Sequence, residues 1–297
     1  MFLPTAYLTS TLCALLGLGL GRQLAMRGSG RLSAWVLLGA SGFVFLGVWW
    51  FGGPGGDPLG YANANAALAM QLAALALLAA LRATGRDRSA LLIAAALATL
   101  AVPATFSRAA IVLLVPLALA VTAAFLGWVR SRWWPGAVGG GVIAASAVGV
   151  VLLASRPALQ PGLFDSVRRT LWSDAFTLWA RHPLTGAGPG SFRRFSDLAK
   201  DPDTAAVHSS VLQVGAEWGI LGVVVLAGLI VGAFILVARG VPKATLIGSA
   251  AFTALMVHSL VDHVLEFWLV ALAAGAVLGY AASGSEELDV SEREGPG

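Results

Sequence analysis

The chain has 297 residues, 58% of them hydrophobic and 11% charged, with a net charge of +4. Soluble domains carry about 25% charged residues, so this composition excludes an ordinary soluble enzyme and points to an integral membrane protein. The basic balance does not indicate nucleic acid, because Arg and Lys are dispersed among connections between apolar runs.

The apolar runs are helix-length, whereas a membrane barrel would show alternating segments of about 10 residues. Thr11 to Leu20 is apolar, but no small-residue cleavage site with a soluble chain follows it. It is read as a retained span rather than a signal peptide. The single cysteine, Cys13, sits in that span and forms no intrachain disulfide. At about 20 apolar residues per crossing, nine helices are expected, centred near Leu15, Phe43, Ala73, Ala96, Ala118, Ala145, Leu226, Ala254 and Ala273. The fold class expected is all-α, a polytopic transmembrane helical protein.

Basic residues orient these spans. Arg22, Arg27 and Arg31 follow the first, Arg82, Arg86 and Arg88 the third, Arg130 and Arg132 the fifth, and Arg239 and Lys243 the seventh. The alternate connections are poor in them: Phe51 to Gly60 holds only Asp57, and the last holds Asp262 and Glu266. Basic loops stay in the cytoplasm. The N-terminus is therefore expected outside and the acidic tail inside. The division expected is 1–154 with six helices, 155–207 an extracytoplasmic loop, 208–283 with three helices, and 284–297 the cytoplasmic tail. Long loops translocate regardless of charge, so the seven basic residues between Ser155 and Val207 do not oppose this orientation.

That loop contains a helix. Asp165 or Ser166 can cap it, and Pro183 stops it after about Arg181. Val167, Leu171, Trp172, Ala175, Phe176, Leu178 and Trp179 share one half of the wheel. The polar Thr170, Ser173, Asp174, Thr177 and Arg181 occupy the other. Such an amphipathic helix suits the bilayer surface. Arg168 falls inside the apolar arc, so it must snorkel or pair. It either reaches lipid phosphates or aims its planar fork at a phosphate of a lipid-linked substrate. Arg169, at the border, reads as a solvated residue. Arg108, after Ser107 at an outer span end, is either a snorkelled terminus or a second phosphate-binding cation.

His208 lies at the foot of the seventh span. A lone His is more often structural, but this one stands beside a glycine-rich loop and candidate arginines. An imidazole there can take a proton from an acceptor hydroxyl near neutral pH. Ser209, Gln213 and Glu217 form a polar stripe on the same helix. Glu217 is nearly opposite His208 on the wheel, so it reads as a helix–helix contact. Gly186, Gly188 and Gly190 frame either a simple tight turn or an anion nest of backbone amides. No strand precedes them, which excludes a dinucleotide fingerprint. His258 and Asp262 are spaced i, i+4, with His263 adjacent, and together with His182 they raise a metal site. The chain lacks a His-Glu-x-x-His pattern, and a helix-packing pair is the expectation for His258 and Asp262.

Three motifs carry a resemblance. The first is Thr105-Phe106-Ser107-Arg108-Ala109-Ala110. The second is Arg168, then Trp172, running into His182-Pro183-Leu184-Thr185-Gly186-Ala187-Gly188-Pro189-Gly190-Ser191-Phe192. The third is His208-Ser209, then Leu212, Gln213, Glu217, Gly219 and Gly222. With these the chain resembles the O-antigen ligase/polymerase superfamily of bacterial lipid-linked glycan transferases. Gly60-Tyr61-Ala62-Asn63-Ala64-Asn65 is a weaker match, and His208-Ser209 stands where the family usually has His-Asn. Members commonly have more spans than are counted here, so a truncated or divergent member is expected.

The resemblance implies a glycosyltransferase that moves an undecaprenyl-diphosphate-linked glycan to an acceptor, without cofactor and without metal. It implies the inner membrane, with the site facing the periplasm or cell exterior. Partners would be the lipid-linked glycan, an acceptor lipid or glycan, and membrane lipids, with no nucleic acid. Arg108 and Arg168 would hold the diphosphate, with Gly188 and Gly190 contributing amides, and His208 would assist the acceptor hydroxyl. The acceptor is one of lipid A core, another repeat unit or a protein serine, and nothing in the chain decides among them. An O-antigen or exopolysaccharide polymerase, or a non-catalytic glycan-lipid transporter, are the alternatives. A transporter would carry charged or broken segments near mid-membrane in paired halves.

Overall fold

The computed structural model describes residues 3–26, 31–50, 56–156, 166–201 and 204–283. Arg27, Asp165 and the tail 284–297 lie outside the described residues. Within them the chain is helical: α1 (Leu3–Met26), α2 (Arg31–Trp50), α3 (Ala62–Ala80), α4 (Gly85–Ala104), α5 (Arg108–Phe125), α6 (Trp134–Ser155), α7 (Ser166–Arg181), α8 (Ser191–Phe195), α9 (Ser210–Val237), α10 (Pro242–Val261) and α11 (Trp268–Ala282). Each of the nine expected centres falls inside a helix. Seven helices, α2 to α6, α9 and α10, are long and apolar enough to cross a membrane. The physical reason for helix is that lipid offers no hydrogen-bond partner, so each segment must satisfy its own backbone. The protein is a multi-pass helical membrane protein.

Packing follows side-chain size. α3 and α10 are buried over 83% and 78% of their apolar windows, against 11% for that of α9, so the first two form the centre and the apolar window of α9 is left exposed. α3 is largely Ala and Leu, which lets neighbours approach closely. α1 and α11 lie parallel and touch backbone to backbone. Gly17 and Gly21 rest on the carbonyls of Leu272 and Ala276, and Gly275 and Gly279 on those of Ala14 and Leu18. Both helices thus use a small-xxx-small spacing, which gains dispersion contact where lipid supplies no hydrophobic drive.

A second core covers one end of the bundle. Leu171, Trp172, Ala175 and Leu178 of α7 pack with Val150 and Ala154 of α6 and Val211, Leu212 and Ala216 of α9. This corrects the expectation for α7: its apolar face is spent on protein rather than lying along lipid. The reason is that α9 and the end of α6 offer a closer-packed apolar surface than acyl chains do. Trp172, fully buried, donates its indole N–H to the carbonyl of His208 at 3.3 Å.

The two ends of the bundle differ. Arg82, at the end of α3, donates to the carbonyl of Ala25 at 3.0 Å and lies over the Tyr280 ring. Arg130 and Arg132 follow α5, and Arg239 and Lys243 join α9 to α10, so they share that end. The starts of α3, α5, α9 and α11 and the finish of α10 gather at the other. The functional candidates stand there.

Candidate functional site

Asp262 is the centre of that end. α10 stops at Val261, and Asp262 takes an extended backbone (φ −156°, ψ 172°). This turns its carboxylate off the helix face that would meet His258. The expected His258–Asp262 packing pair is therefore not a hydrogen-bonded one, and neither ring nitrogen of buried His258 has a hydrogen-bond partner among the described residues. Asp262 instead gathers donors from three other elements. The Tyr61 hydroxyl lies 2.8 and 2.9 Å from its two oxygens. Asn63 donates its amide to Oδ2, and the Arg168 guanidinium lies 3.4 Å from the same oxygen. The His263 backbone N–H donates to Oδ1 at 2.7 Å. The ring Nδ1 atoms of His263 and His208 stand 3.0 and 3.4 Å from Oδ1 and 3.1 Å from each other.

Each side chain is placed for a local reason. Tyr61 and Asn63 flank the first turn of α3, and Tyr61 is its N-cap in extended conformation. The Tyr61 ring stacks on Phe267 (5.6 Å, 4°) and tilts against His263 (4.7 Å). His208 has φ 55°, the left-handed region that a non-glycine residue rarely adopts. Three anchors hold that turn: the Trp172 bond to its carbonyl, the Gln213 side chain accepting from Val207 N–H at 3.0 Å, and Ser210 donating to the Ser259 carbonyl at 2.8 Å. Strain of this kind persists only where surroundings over-determine it. Here it presents the His208 ring to Asp262.

Electrostatics favour an ionised carboxylate. Burial pushes Asp262 up, but hydrogen bonds and charge from His208 and His263 outweigh it and leave the group well below the usual carboxylate range. Burial and the Asp262 charge push the Tyr61 phenol well up, so it stays a donor. Glu266, on the same connection, is pushed up to about 7 by burial, against a bond from Tyr7 and with the charges of Glu217 and Asp262 adding to the rise.

The other expected residues fall as follows. Arg108 is exposed at the start of α5, at the same end of the bundle. Thr105 and Ser107 build its turn: Ser107 N–H donates to the Thr105 hydroxyl at 3.2 Å, and Ser107 caps α5 by accepting from Ala110 N–H at 3.3 Å. No hydrogen bond or ion pair joins Arg108 to Asp262 among the described residues.

Gly188 and Gly190 are both left-handed, as a nest requires. The Gly188 N–H is spent on the Glu217 carbonyl at 3.0 Å. The N–H groups of Gly190 and Phe192 are spent on the Glu217 carboxylate, which Gln213 also holds at 2.8 Å. This corrects the diphosphate assignment of those two glycines: the anion in their nest is the protein's own. Glu217 thus meets the N-terminus of the short helix α8, in keeping with its reading as a contact between helices.

The glycine-rich loop docks where α9 breaks. Gly219 has φ 64°, ψ −160° inside α9. The groups freed there are taken by the loop: Ile220 N–H donates to Pro183 and Leu221 N–H to Leu184, while Ala187 N–H donates to Ala216. A methyl group on Gly219 would strike the Leu184 carbonyl, and one on Gly186 would strike the backbone of Glu217. The second and third sequence motifs are thus two halves of one backbone contact.

The sequence placed Tyr61 and Asn63 only in a weak family match and Asp262 and His263 only beside His258 and His182, and joined none of them to Arg168 and His208. The signals present were the weak match around Tyr61 and an Asp-His pair in a connection poor in basic residues.

The fold and this cluster define a membrane protein with a paired histidine–carboxylate–arginine constellation at one end. A family model described as O-antigen ligase matches residues 93–227. Over that segment the chain is similar to the O-antigen ligase family. The matched segment contains Arg108, Arg168 and His208 but not Tyr61, Asn63, Asp262 or His263. No curated protein matches the sequence.

Proposed function

We propose that the chain transfers a glycan from an undecaprenyl-diphosphate carrier to an acceptor hydroxyl, in the manner of an O-antigen ligase, on the outer face of the cytoplasmic membrane. The observation that carries this reading is the shared carboxylate. Asp262 contacts both Arg168 and His208, so a cation and a base stand side by side. The acceptor oxygen attacks the anomeric carbon, the bond from that carbon to the diphosphate breaks, and the diphosphate leaves with its electron pair. Arg168 answers the charge that grows on the leaving oxygen, and Arg108 is the second cation at the same end. His208 takes the proton from the acceptor hydroxyl through its outer nitrogen. Asp262 holds the ring orientation and stabilises the imidazolium that forms.

The orientation rests on the basic connections at the opposite end, which the positive-inside rule assigns to the cytoplasm. Ligation and polymerisation share this chemistry and differ in the acceptor. The transporter reading is weaker. Its expected broken helix exists at Gly219, but the freed backbone groups are satisfied by the Pro183–Leu184 segment rather than left to coordinate an ion.

The test is transfer from a purified undecaprenyl-diphosphate glycan in detergent, with EDTA present. Wild type should transfer, and His208→Ala and Arg168→Ala should lose transfer by at least about 100-fold while inserting normally. Full activity in both variants would overturn the assignment.

A further inference from the structure

Six donor positions approach the Asp262 carboxylate: Tyr61, Asn63, Arg168, the His263 N–H and the two ring Nδ1 atoms. A carboxylate offers about four lone-pair sites. The two ring nitrogens therefore cannot both be well-satisfied donors, and a neutral imidazole presents either an N–H or a lone pair at Nδ1. With the protons on the outer nitrogens, both lone pairs and Asp262 Oδ1 face one another across gaps of 3.0, 3.1 and 3.4 Å. Tetrahedral ligands bound at about 2.0–2.1 Å stand about 3.3 Å apart. The three atoms thus form a triangle close to one face of such a tetrahedron.

We propose that His208 Nδ1, His263 Nδ1 and Asp262 Oδ1 form a site for a first-row divalent cation of the Zn2+ type, and that its occupation inhibits the protein. Imidazole nitrogen and carboxylate oxygen are the ligand chemistry such cations take, and three protein ligands leave one position for water. The rings are held for it: His263 lies tilted against the stacked Tyr61 and Phe267 rings, and His208 is fixed by its anchored turn. Arg168 on the other oxygen of Asp262 opposes a cation, which makes the site a reversible one rather than a structural one. A cation on His208 Nδ1 leaves the proton on the outer nitrogen, so that nitrogen no longer accepts one from a hydroxyl. The binding half stands on the geometry alone; the inhibition half rests on the proposed transfer reaction.

The experiment uses the untagged full chain in detergent, stripped with EDTA and dialysed. Zn2+ binding is counted by equilibrium dialysis, and Co2+ serves as a visible-absorbing probe. Wild type should bind one Zn2+ per chain and show ligand-field bands with Co2+. His263→Gln and His208→Gln should each weaken binding by at least about tenfold, the loss that follows removal even of a supporting residue. His182→Ala, which changes an exposed ring away from the cluster, should bind as wild type does. Thermal unfolding of each variant shows that it is folded. Absence of stoichiometric binding by wild type, or equal binding by wild type and both glutamine variants, would overturn the site. Zn2+ should suppress transfer by at least about tenfold and EDTA should restore it. Bound Zn2+ with undiminished transfer would overturn inhibition while leaving the site. Absence of transfer by the metal-free protein would count against the transferase reading, and the dialysis result would still decide the site.

Discussion

Asp262→Asn is the most informative perturbation, because it keeps the shape of the side chain and removes only its charge and half its accepting capacity. In the wild type, Oδ2 accepts from Asn63 and faces Arg168 at 3.4 Å, and the Asp262 side chain is only 2% exposed. An amide NH2 in that position would present a donor to two donors. Hydrogen bonds to a buried charge contribute about 1.5–3 kcal/mol each, so losing two costs roughly 3–6 kcal/mol. Turning the amide over moves the same conflict to Oδ1, where Tyr61 and the His263 N–H already donate. Unfolding in detergent, followed by tryptophan fluorescence, should report this loss. It also has a sign with pH. The folded carboxyl lies well below its ordinary value of 3.8, so its stabilisation is complete above that value and disappears as pH falls through the lower folded one. The gap between wild type and Asp262→Asn should thus be widest near neutrality and close in acid. Transfer should fall by about 100- to 10,000-fold, the range for losing an oriented base. Tyr61→Phe removes one donor and keeps the charge, so its rate should fall much less. An Asp262→Asn protein with wild-type unfolding and a rate within about twofold of wild type would refute the reasoning.

Two further predictions concern stability. Glu266 moves from 4.5 to about 7 on folding. Its contribution is therefore present below 4.5 and is lost as pH rises through about 7, a gap worth roughly 3 kcal/mol. Between about pH 5 and about pH 8 the wild type should lose stability relative to Glu266→Gln, and parallel unfolding curves at both pH values would contradict the buried acid. Gly219→Ala places a side chain at φ 64°, ψ −160° and against the Leu184 carbonyl. Backbone strain alone costs about 1–3 kcal/mol there. The protein should unfold earlier or fail to accumulate, whereas Gly228→Ala, which meets nothing within 4 Å, should not.

The sequence by itself determined what is local. A run of apolar residues about 20 long leaves the backbone no partner but itself in lipid, so nine helix centres were legible from composition. The alternation of basic connections is also one-dimensional, and it agrees with the gathering of basic groups at one end. Pro183 marked the end of α7, because its ring cannot continue a helix. Arg168 stood out as a misfit on the apolar wheel, and a misfit charge must find a partner. Which partner was not legible. The bond from Tyr61 to Asp262 joins residues 201 apart, and that from Arg168 joins residues 94 apart. Only the packing of α3, α7 and α9 around the end of α10 brings them together. The same holds for Gly188 and Gly190. Their left-handed backbone is a local property, but what fills the nest depends on the break in α9 that carries Glu217 to it. Helix periodicity misplaced Asp262 because it assumes the helix continues. One extended residue at its end turned a packing contact into the centre of the site.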